Sequence, residues 1–236
     1  TLRLAGVKEV EIMLPNRFAD GYGMSTKVVQ RAKETGVGLV ITVDCGSRNH
    51  EIIGQLNGIG VDVIVTDHHE CSDTLPPAVA VVNPKRRNWL SSDELRELAG
   101  VGVAFKVAQA LASEGMIPAG QEKWLLDLVL IGTVCDNMVL KGENRRLCFY
   151  GLKVLEKTRR SGLKELMREA GVKRLDTESI GFQIGPRLNA AGRMETAERA
   201  LELLMADKKT TAAKLALELE ELNRTRKEEQ RRAVTE

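Results

Sequence analysis

The chain has 236 residues, 43% of them hydrophobic and 29% charged, which suffices for one α/β domain with or without an appendage. Its 35 basic and 33 acidic residues nearly cancel to a net charge of +2, so any surface that binds nucleic acid must be local. No apolar run approaches about 18 residues and neither end resembles a signal peptide, so we expect no membrane span and a cytoplasmic protein. The four cysteines form no CxxC pair, which argues against a cysteine-ligated zinc site.

The first half of the sequence alternates strand-like and helix-like segments. Helices are predicted from Ser25 to about Thr35 and, with Ser47 as the capping residue, to about Asn57. The continuous apolar run Gly38–Val43 indicates a strand that is covered on both faces. The predicted strands are Val7–Leu14, Gly38–Val43, Val61–Thr66 and Ala78–Val82. This rhythm predicts an α/β fold with a doubly wound, mainly parallel sheet.

The second half of the sequence is predicted to be helical. A last helix starts near Thr210, and its apolar stripe ends at Leu222, beyond which the helix is polar all round, as in a spacer between domains. The other predicted helices are Val101–Ala112, Glu122–Cys135, Arg145–Thr158 and Leu163–Ala170. We therefore expect an α/β region over residues 1–140, a helical part over 141–208 and a long connecting helix over 209–236.

Acidic and imidazole side chains follow two of the predicted strands. Asp44 follows the second strand, and Asp67, His68 and His69 follow the third. Because the carboxyl ends of parallel strands lie at one edge of a sheet, these side chains can be neighbours. Asp136 follows an apolar helix, where a carboxylate is costly unless it is paired or bound to a metal. Carboxylates with an imidazole suit Mn²⁺ or Mg²⁺, and two such ions would fit phosphoester hydrolysis.

Each of these residues also has a structural interpretation. An aspartate at a strand end is often a turn or capping residue, and a lone histidine is often structural. The grouping of several such side chains at the ends of buried elements favours a metal site over these alternatives.

The segment Gly185–Met194, G-P-R-L-N-A-A-G-R-M, is a candidate substrate-binding segment. Its small residues would let a backbone approach a ligand closely, and Arg187 and Arg193 could grip phosphate, with Asn189 beside them. The alternative is a corner between two helices with solvated arginines.

A second candidate loop spans Pro15–Gly23. Here Arg17 could contact phosphate and Tyr22 could stack on a base, although a surface turn fits the composition equally well. By contrast, Gly100–Ala104 only superficially resembles a dinucleotide fingerprint, because it follows no strand and lacks the third glycine. It predicts a close-packed helix start.

Four motifs together resemble the DHH phosphoesterase superfamily. They are I-T-V-D-C-G at Ile41–Gly46, V-T-D-H-H at Val65–His69, L-I-G-T-V-C-D at Leu130–Asp136 and G-P-R-L-N-A-A-G-R at Gly185–Arg193. Three further motifs narrow the resemblance to the RecJ-like branch: P-N-R-F-A-D-G-Y-G at Pro15–Gly23, A-G-V-G-V-A-F-K at Ala99–Lys106 and L-N-R-T-R-K at Leu222–Lys227. The ordered set covers nearly the whole chain.

The resemblance implies an enzyme that degrades single-stranded DNA from the 5′ end and releases 5′-mononucleotides in recombination and repair. It implies two Mn²⁺ or Mg²⁺ ions in the complete protein, a monomer, and a single-strand-binding protein and a helicase as partners. By the same resemblance the metal ligands would be Asp44, His68 and Asp136. Asp67 would orient the neighbouring imidazole and His69 would face the scissile phosphate.

The resemblance also assigns the substrate contacts. Arg17 and Arg193 would bind phosphates, including the one at the 5′ end, and Tyr22 would stack near the end of the substrate. Arg187 and Asn189 belong to the same substrate-binding motif as Arg193.

The sequence departs from the family pattern in ways that bear on activity. The family carries an aspartate-rich first motif on an earlier strand and, after the long helix, a second domain with a glycine-rich, substrate-binding motif, and neither occurs between Thr1 and Glu236. We therefore expect a fragment that is inactive alone. Two other functions stay open: a DHH phosphoesterase for short oligonucleotides or small phosphorylated nucleotides, and a non-catalytic scaffold that binds nucleic acid.

Overall fold

A computed structural model describes residues 1–15, 21, 23–87, 93–194 and 197–235 of the chain. These residues divide into two compact units. Unit 1 comprises the described residues up to Gly151, and unit 2 runs from Leu152 to the end of the last helix. Arg17 and Tyr22, two of the predicted substrate contacts, lie outside the described residues.

Unit 1 is built on a three-stranded parallel sheet, which confirms the predicted α/β class. Strands β1 (Leu39–Val43), β2 (Asp62–Thr66) and β3 (Ala80–Val82) lie in the order β1-β2-β3. Val43 is opposite Thr66, and Thr66 is opposite Val82, so the three strands end level with one another. The residues that follow them therefore share one edge of the sheet.

The helices of unit 1 pack on this sheet and on one another. An apolar cluster joins α1 and α2 to the strands, with Ile53, Leu56, Val63 and Val65 wholly buried. Helix α4 contacts β1, β2 and α5. The helices are α1 (Thr26–Thr35), α2 (His50–Gly58), α3 (Asp93–Arg96), α4 (Gly100–Ser113), a 3₁₀ turn (Glu122–Leu125), α5 (Leu126–Cys135) and α6 (Gly142–Glu156), which extends past the boundary of the unit.

Unit 2 consists of helices around the long last helix. The predicted apolar stripe of that helix is buried, as Ala212, Ala216 and Leu219 show, and it packs against α7, α9 and α10. The elements are α7 (Ser161–Glu169), α8 (Thr177–Ser179), a π-helical turn (Ile180–Ile184), α9 (Gly185–Met194), α10 (Glu198–Met205) and α11 (Lys209–Thr235). In the described parts of both units, no helix combines the length and the apolar character that crossing a membrane requires.

The structure corrects three local predictions. Val7–Leu14 is not a strand, since Val7, Ile12 and Met13 are exposed and no described strand pairs with the segment. Strand β1 is not covered on both faces, because Leu39 and Val43, which share one face of the strand, are 47% and 54% exposed.

The third correction concerns Ser47, which does not cap α2. That helix begins after Asn49, and Ser47 is instead wholly buried at the strand-end edge. Its hydroxyl accepts a hydrogen bond from Asn83, a tertiary contact that competes with the capping role.

Candidate metal site at the strand-end edge of unit 1

Three polar residues follow the three level strands at one edge of the sheet: Asp44 after β1, Asp67 after β2 and Asn83 after β3. The ladder continues one residue beyond each strand pair, because Asp44 N–H donates to Thr66 O (2.9 Å) and Asp67 N–H donates to Val82 O (3.1 Å). These bonds fix the backbone from which the side chains project. Asp44 adopts a positive φ of 64°, a conformation in which aspartate is among the better tolerated non-glycine residues.

Two carboxylates converge on one imidazole nitrogen. His68 Nε2 lies 3.0 Å from Asp44 Oδ1 and 3.4 Å from Asp136 Oδ2. The His68 side chain is 8% exposed, whereas Asp44 and Asp136 are 54% and 45% exposed. The imidazole is thus buried, whereas the two carboxylates are partly exposed to solvent. The sequence prediction that these three residues lie together therefore matches their positions.

The electrostatics of this cluster favour a positive charge. The hydrogen bond with Asp44 raises the pKa of His68, against the opposing effect of burial, and the charges of Asp44 and Asp136 add to the rise. Burial raises the pKa of Asp136, and the negative charge of Asp44 raises it further against the opposing effect of His68. Two carboxylates around one imidazole leave a net negative site, even when the imidazole is protonated.

Asp67 is the buried anchor of the cluster, and it is held by four hydrogen bonds. Its carboxylate accepts from the backbone N–H groups of Ser47 (3.0 Å), His68 (2.8 Å) and His69 (3.2 Å). It also lies 2.7 Å from His69 Nδ1. Burial alone would raise the pKa of Asp67, but the hydrogen bonds from His69 and Ser47 outweigh it and hold this pKa below its usual value.

His69 is oriented by this contact. With the proton on Nδ1, donated to Asp67, the opposite nitrogen Nε2 keeps its lone pair for a proton or a ligand. The His69 side chain is 60% exposed. Asp44, His68 and His69 each offer a ligand atom, and these atoms all lie within 4.8 Å of one another. His69 is therefore a further candidate ligand as well as a candidate catalytic group.

Asn83 and Ser47 support the loop that carries the histidines, and the sequence prediction missed both. The buried Asn83 amide donates to Ser47 Oγ (2.8 Å) and to His69 O (2.9 Å), and its oxygen accepts from Lys85 N–H (2.9 Å). The available signal was positional: an amide directly after the third parallel strand lies in the same row as Asp44 and Asp67.

The predicted phosphate-binding residues of Gly185–Met194 lie on helix α9 of unit 2. Arg187 is buried, forms an ion pair with Glu220 of α11 and donates to Gln183 O (2.7 Å). Asn189 and Arg193 are exposed on the same helix. The segment is thus neither a loop nor a corner between two helices, since α9 runs unbroken from Gly185 to Met194.

The sequence of the chain matches a known family. Residues 2–133 match the model of the DHH family, N-terminal domain, and the chain belongs to the DHH family.

Within that family the similar proteins are single-stranded-DNA-specific exonucleases named RecJ. The protein of Bacillus subtilis (strain 168) is 42% identical over 92% of this chain, and that of Escherichia coli (strain K12) is 40% identical over 96%. The alignments cover 27% and 41% of those two proteins, so this chain spans less than half of their length.

Two solved structures share the fold. A crystal structure of exonuclease RecJ bound to manganese matches 91% of this chain and 54% of its own, with a TM-score of 0.82 and 37% identity. The structure of RecJ from Thermus thermophilus in complex with Mn²⁺ matches 84% of this chain and 30% of its own, with a TM-score of 0.74 and 37% identity.

Proposed function

We propose that this chain is the DHH part of a metal-dependent exonuclease that degrades single-stranded DNA in the 5′→3′ direction and releases 5′-mononucleotides. The observation that carries the proposal is the convergence of Asp44 and Asp136 on His68 Nε2, at 3.0 and 3.4 Å. The 40–42% identity to RecJ exonucleases over at least 92% of the chain supports the choice of substrate.

The donor set fits a hard divalent cation. Two carboxylate oxygens and one imidazole nitrogen suit Mn²⁺ or Mg²⁺, and the net negative cluster requires a compensating charge. In this proposal Asp44, His68 and Asp136 hold the metal, and two ions are expected in the complete protein. When bound, such ions lower the pKa of a water molecule and neutralise charge on the phosphate.

The chain's own side chains then have distinct roles. Asp67 accepts a hydrogen bond from Nδ1 of His69 and so orients the ring, because its own oxygens are fixed by backbone N–H groups. His69 is exposed and is proposed to face the scissile phosphate, where it can hydrogen-bond an oxygen or move a proton. Asn83 holds the His69 carbonyl and keeps this loop in register.

Substrate binding is assigned to the exposed part of helix α9. Arg193 and Asn189 are proposed to contact phosphate oxygens of the single strand, Arg193 with two parallel hydrogen bonds. Arg187 belongs to the same motif, but its ion pair with Glu220 supports a role in positioning α9. Arg17 and Tyr22, outside the described residues, are retained as proposed contacts for the 5′ phosphate and the terminal base.

The place of this activity in the cell is part of the proposal. A single-strand exonuclease acts in DNA recombination and repair, where a single-strand-binding protein and a helicase supply and present its substrate. We propose a cytoplasmic monomer for the full-length protein. Residues 209–235 are proposed to connect the DHH part to a further domain.

The test is mutation of two ligands in the full-length protein. Asp136→Ala and His68→Ala should each lower the rate of nucleotide release at least about 100-fold, because a metal ligand is lost. Circular dichroism should report an unchanged fold. Wild-type turnover by either variant would contradict the metal assignment.

Substrate length separates the exonuclease from the two other functions. Faster release from long single strands than from dinucleotides is expected of the exonuclease. Preference for dinucleotides would instead indicate a phosphoesterase for short oligonucleotides. Binding of single strands without Mn²⁺-dependent cleavage would indicate a scaffold.

A further inference from the structure

The first two residues of helix α4 touch both segments that carry the converging carboxylates. Gly100 opens the helix and Val101 follows it. A Cβ atom on Gly100 would lie 2.5 Å from Asp44 Cγ and 2.7 Å from Asp44 Cβ, which no real Cβ atom tolerates. The Asp44 side chain therefore occupies the space that any larger residue at position 100 would need.

The next residue, Val101, makes the equivalent contact with Gly132 of α5. A Cβ atom on Gly132 would lie 2.7 Å from Val101 Cγ1 and 3.1 Å from Val101 Cβ. Gly132 thus allows α5 to approach α4 closely. Asp136 follows one helical turn later as the C-terminal capping residue of α5, and its N–H donates to Gly132 O at 2.9 Å. The packing of Val101 against Gly132 therefore sets the position of Asp136.

We propose that Gly100 and Val101 form a spacer that sets the separation of Asp44 and Asp136 around His68 Nε2, and with it the affinity for the divalent cation. This inference rests on the metal site of the proposed function. Both are positioning residues that act through the carboxylates. Close-packed interiors transmit the size of a single methyl group, and ligand positions must hold within about 0.2 Å for a metal site to keep its geometry.

A second feature of α4 favours the same placement of Asp44. The helix has no acidic residue in its first turn and no side-chain hydrogen bond at its N-terminal cap, Ala99. The carboxylate that lies against Gly100 is therefore placed beside the positive end of the helix dipole, which stabilises a negative charge there.

The experiment is a Mn²⁺ titration by calorimetry on the full-length protein. Gly100→Ala and Gly132→Ala should each weaken Mn²⁺ binding about tenfold or more, as changes beside metal ligands do. The matched control is Gly54→Ala in helix α2, where an added Cβ meets nothing within 4 Å. That variant should keep the wild-type affinity.

Two double variants distinguish positioning from general damage. Val101→Ala removes both Cγ atoms that face Gly132, so it should restore most of the Mn²⁺ affinity lost in Gly132→Ala. In an Asp44→Gly background, which also removes the Cβ of residue 44, Gly100→Ala should no longer lower the melting temperature, because every side-chain atom that clashes is gone.

The outcomes separate this inference from the proposed function. Wild-type Mn²⁺ affinity in both Gly100→Ala and Gly132→Ala, in a protein that binds Mn²⁺ and cleaves DNA, would overturn the spacer alone. An equal loss in Gly54→Ala, or no rescue by Val101→Ala, would also overturn it. Absence of Mn²⁺ binding by the wild-type protein would overturn the proposed function and the spacer with it.

Discussion

One charged cluster in each unit is balanced in a different way. In unit 2, the buried guanidinium of Arg187 is neutralised by Glu220, so that charge needs no further partner. In unit 1, two carboxylates converge on the single imidazole of His68, so the cluster keeps a net negative charge. The comparison teaches that charge balance, rather than the presence of charged residues in a motif, separates a packing contact from a candidate ligand site.

Within unit 1, the largest predicted difference in stability is between the variants Asp67→Ala and Asp136→Ala. Asp67→Ala leaves the N–H groups of Ser47, His68 and His69 without their acceptor, and should lower the free energy of unfolding by about 3 kcal/mol. Asp136→Ala removes a half-exposed carboxylate from a like-charged pair and should change the free energy of unfolding by less than about 0.5 kcal/mol.

Urea unfolding measures the free energies of both variants, and a chelator in the buffer removes the contribution of bound metal. Equal losses in the two variants would show that Asp136 is a packing residue, and the contrast with Asp67 would fail.

In unit 2 the same comparison applies to the two arginines of α9. Arg187→Ala leaves Glu220 without its partner and should cost about 2 kcal/mol of unfolding free energy. Arg193→Ala should cost less than about 0.5 kcal/mol, because Arg193 is exposed.

Binding of single-stranded DNA should be weakened more by Arg193→Ala than by Arg187→Ala. Arg193→Ala should lower the slope of log affinity against log salt by about one unit, as loss of one phosphate contact does. Salt titrations of a fluorescent oligonucleotide report the slope. An unchanged slope would remove Arg193 from the substrate contacts.

A smaller effect is expected at Asn83, which supports the loop after β2. Asn83→Ala removes two donated bonds and one accepted bond in a buried place and should cost about 1–2 kcal/mol. Asn57→Ala is the matched control, because the bond from that side chain to Pro77 O is exposed. Thermal unfolding compares the two, and an equal change would mean that the Asn83 network does not hold the loop.

Among the losses predicted for side chains with buried hydrogen bonds, the smallest is a pH-dependent loss at Glu143 of unit 1. Burial would raise the pKa of Glu143, but hydrogen bonds from Lys106 and Arg146 outweigh it and keep this pKa below its usual value. A depressed pKa contributes stability that is present above the unfolded value of about 4.3 and is lost as the pH falls through the folded value.

Glu143→Gln should therefore lower stability by about 1 kcal/mol at pH 7 and by less at acidic pH. Unfolding curves between pH 7 and pH 3 test this, with Glu34→Gln on the exposed face of α1 as the control. A loss that is constant with pH would contradict the assigned cause.

Much of the architecture was predictable from sequence because buried elements carry their own pattern. Strands β1 and β2, and helices α4, α5 and α11, lie where their apolar runs and stripes predict them. The Val7–Leu14 prediction failed because the apolar residues of a segment cannot show whether a neighbouring strand is there to pair with it.

The candidate site was predictable only in part. The strand-end aspartates were found because the carboxyl ends of parallel strands lie at one edge. Ser47 was misassigned because its partner, Asn83, is distant in sequence. The sequence alone does not distinguish Arg187 from Arg193. A spacing of six residues places them about 120° apart around one helix, and in the structure Arg187 is buried and Arg193 is exposed.

The central claim is that Asp44, His68 and Asp136 hold one divalent cation. Anomalous diffraction at the manganese edge, from crystals of the full-length protein grown with Mn²⁺, tests it most directly. The account predicts a peak about 2.0–2.3 Å from a carboxylate oxygen of Asp44, from His68 Nε2 and from an oxygen of Asp136. A peak bound elsewhere, or none near His68 at saturating Mn²⁺, would contradict it.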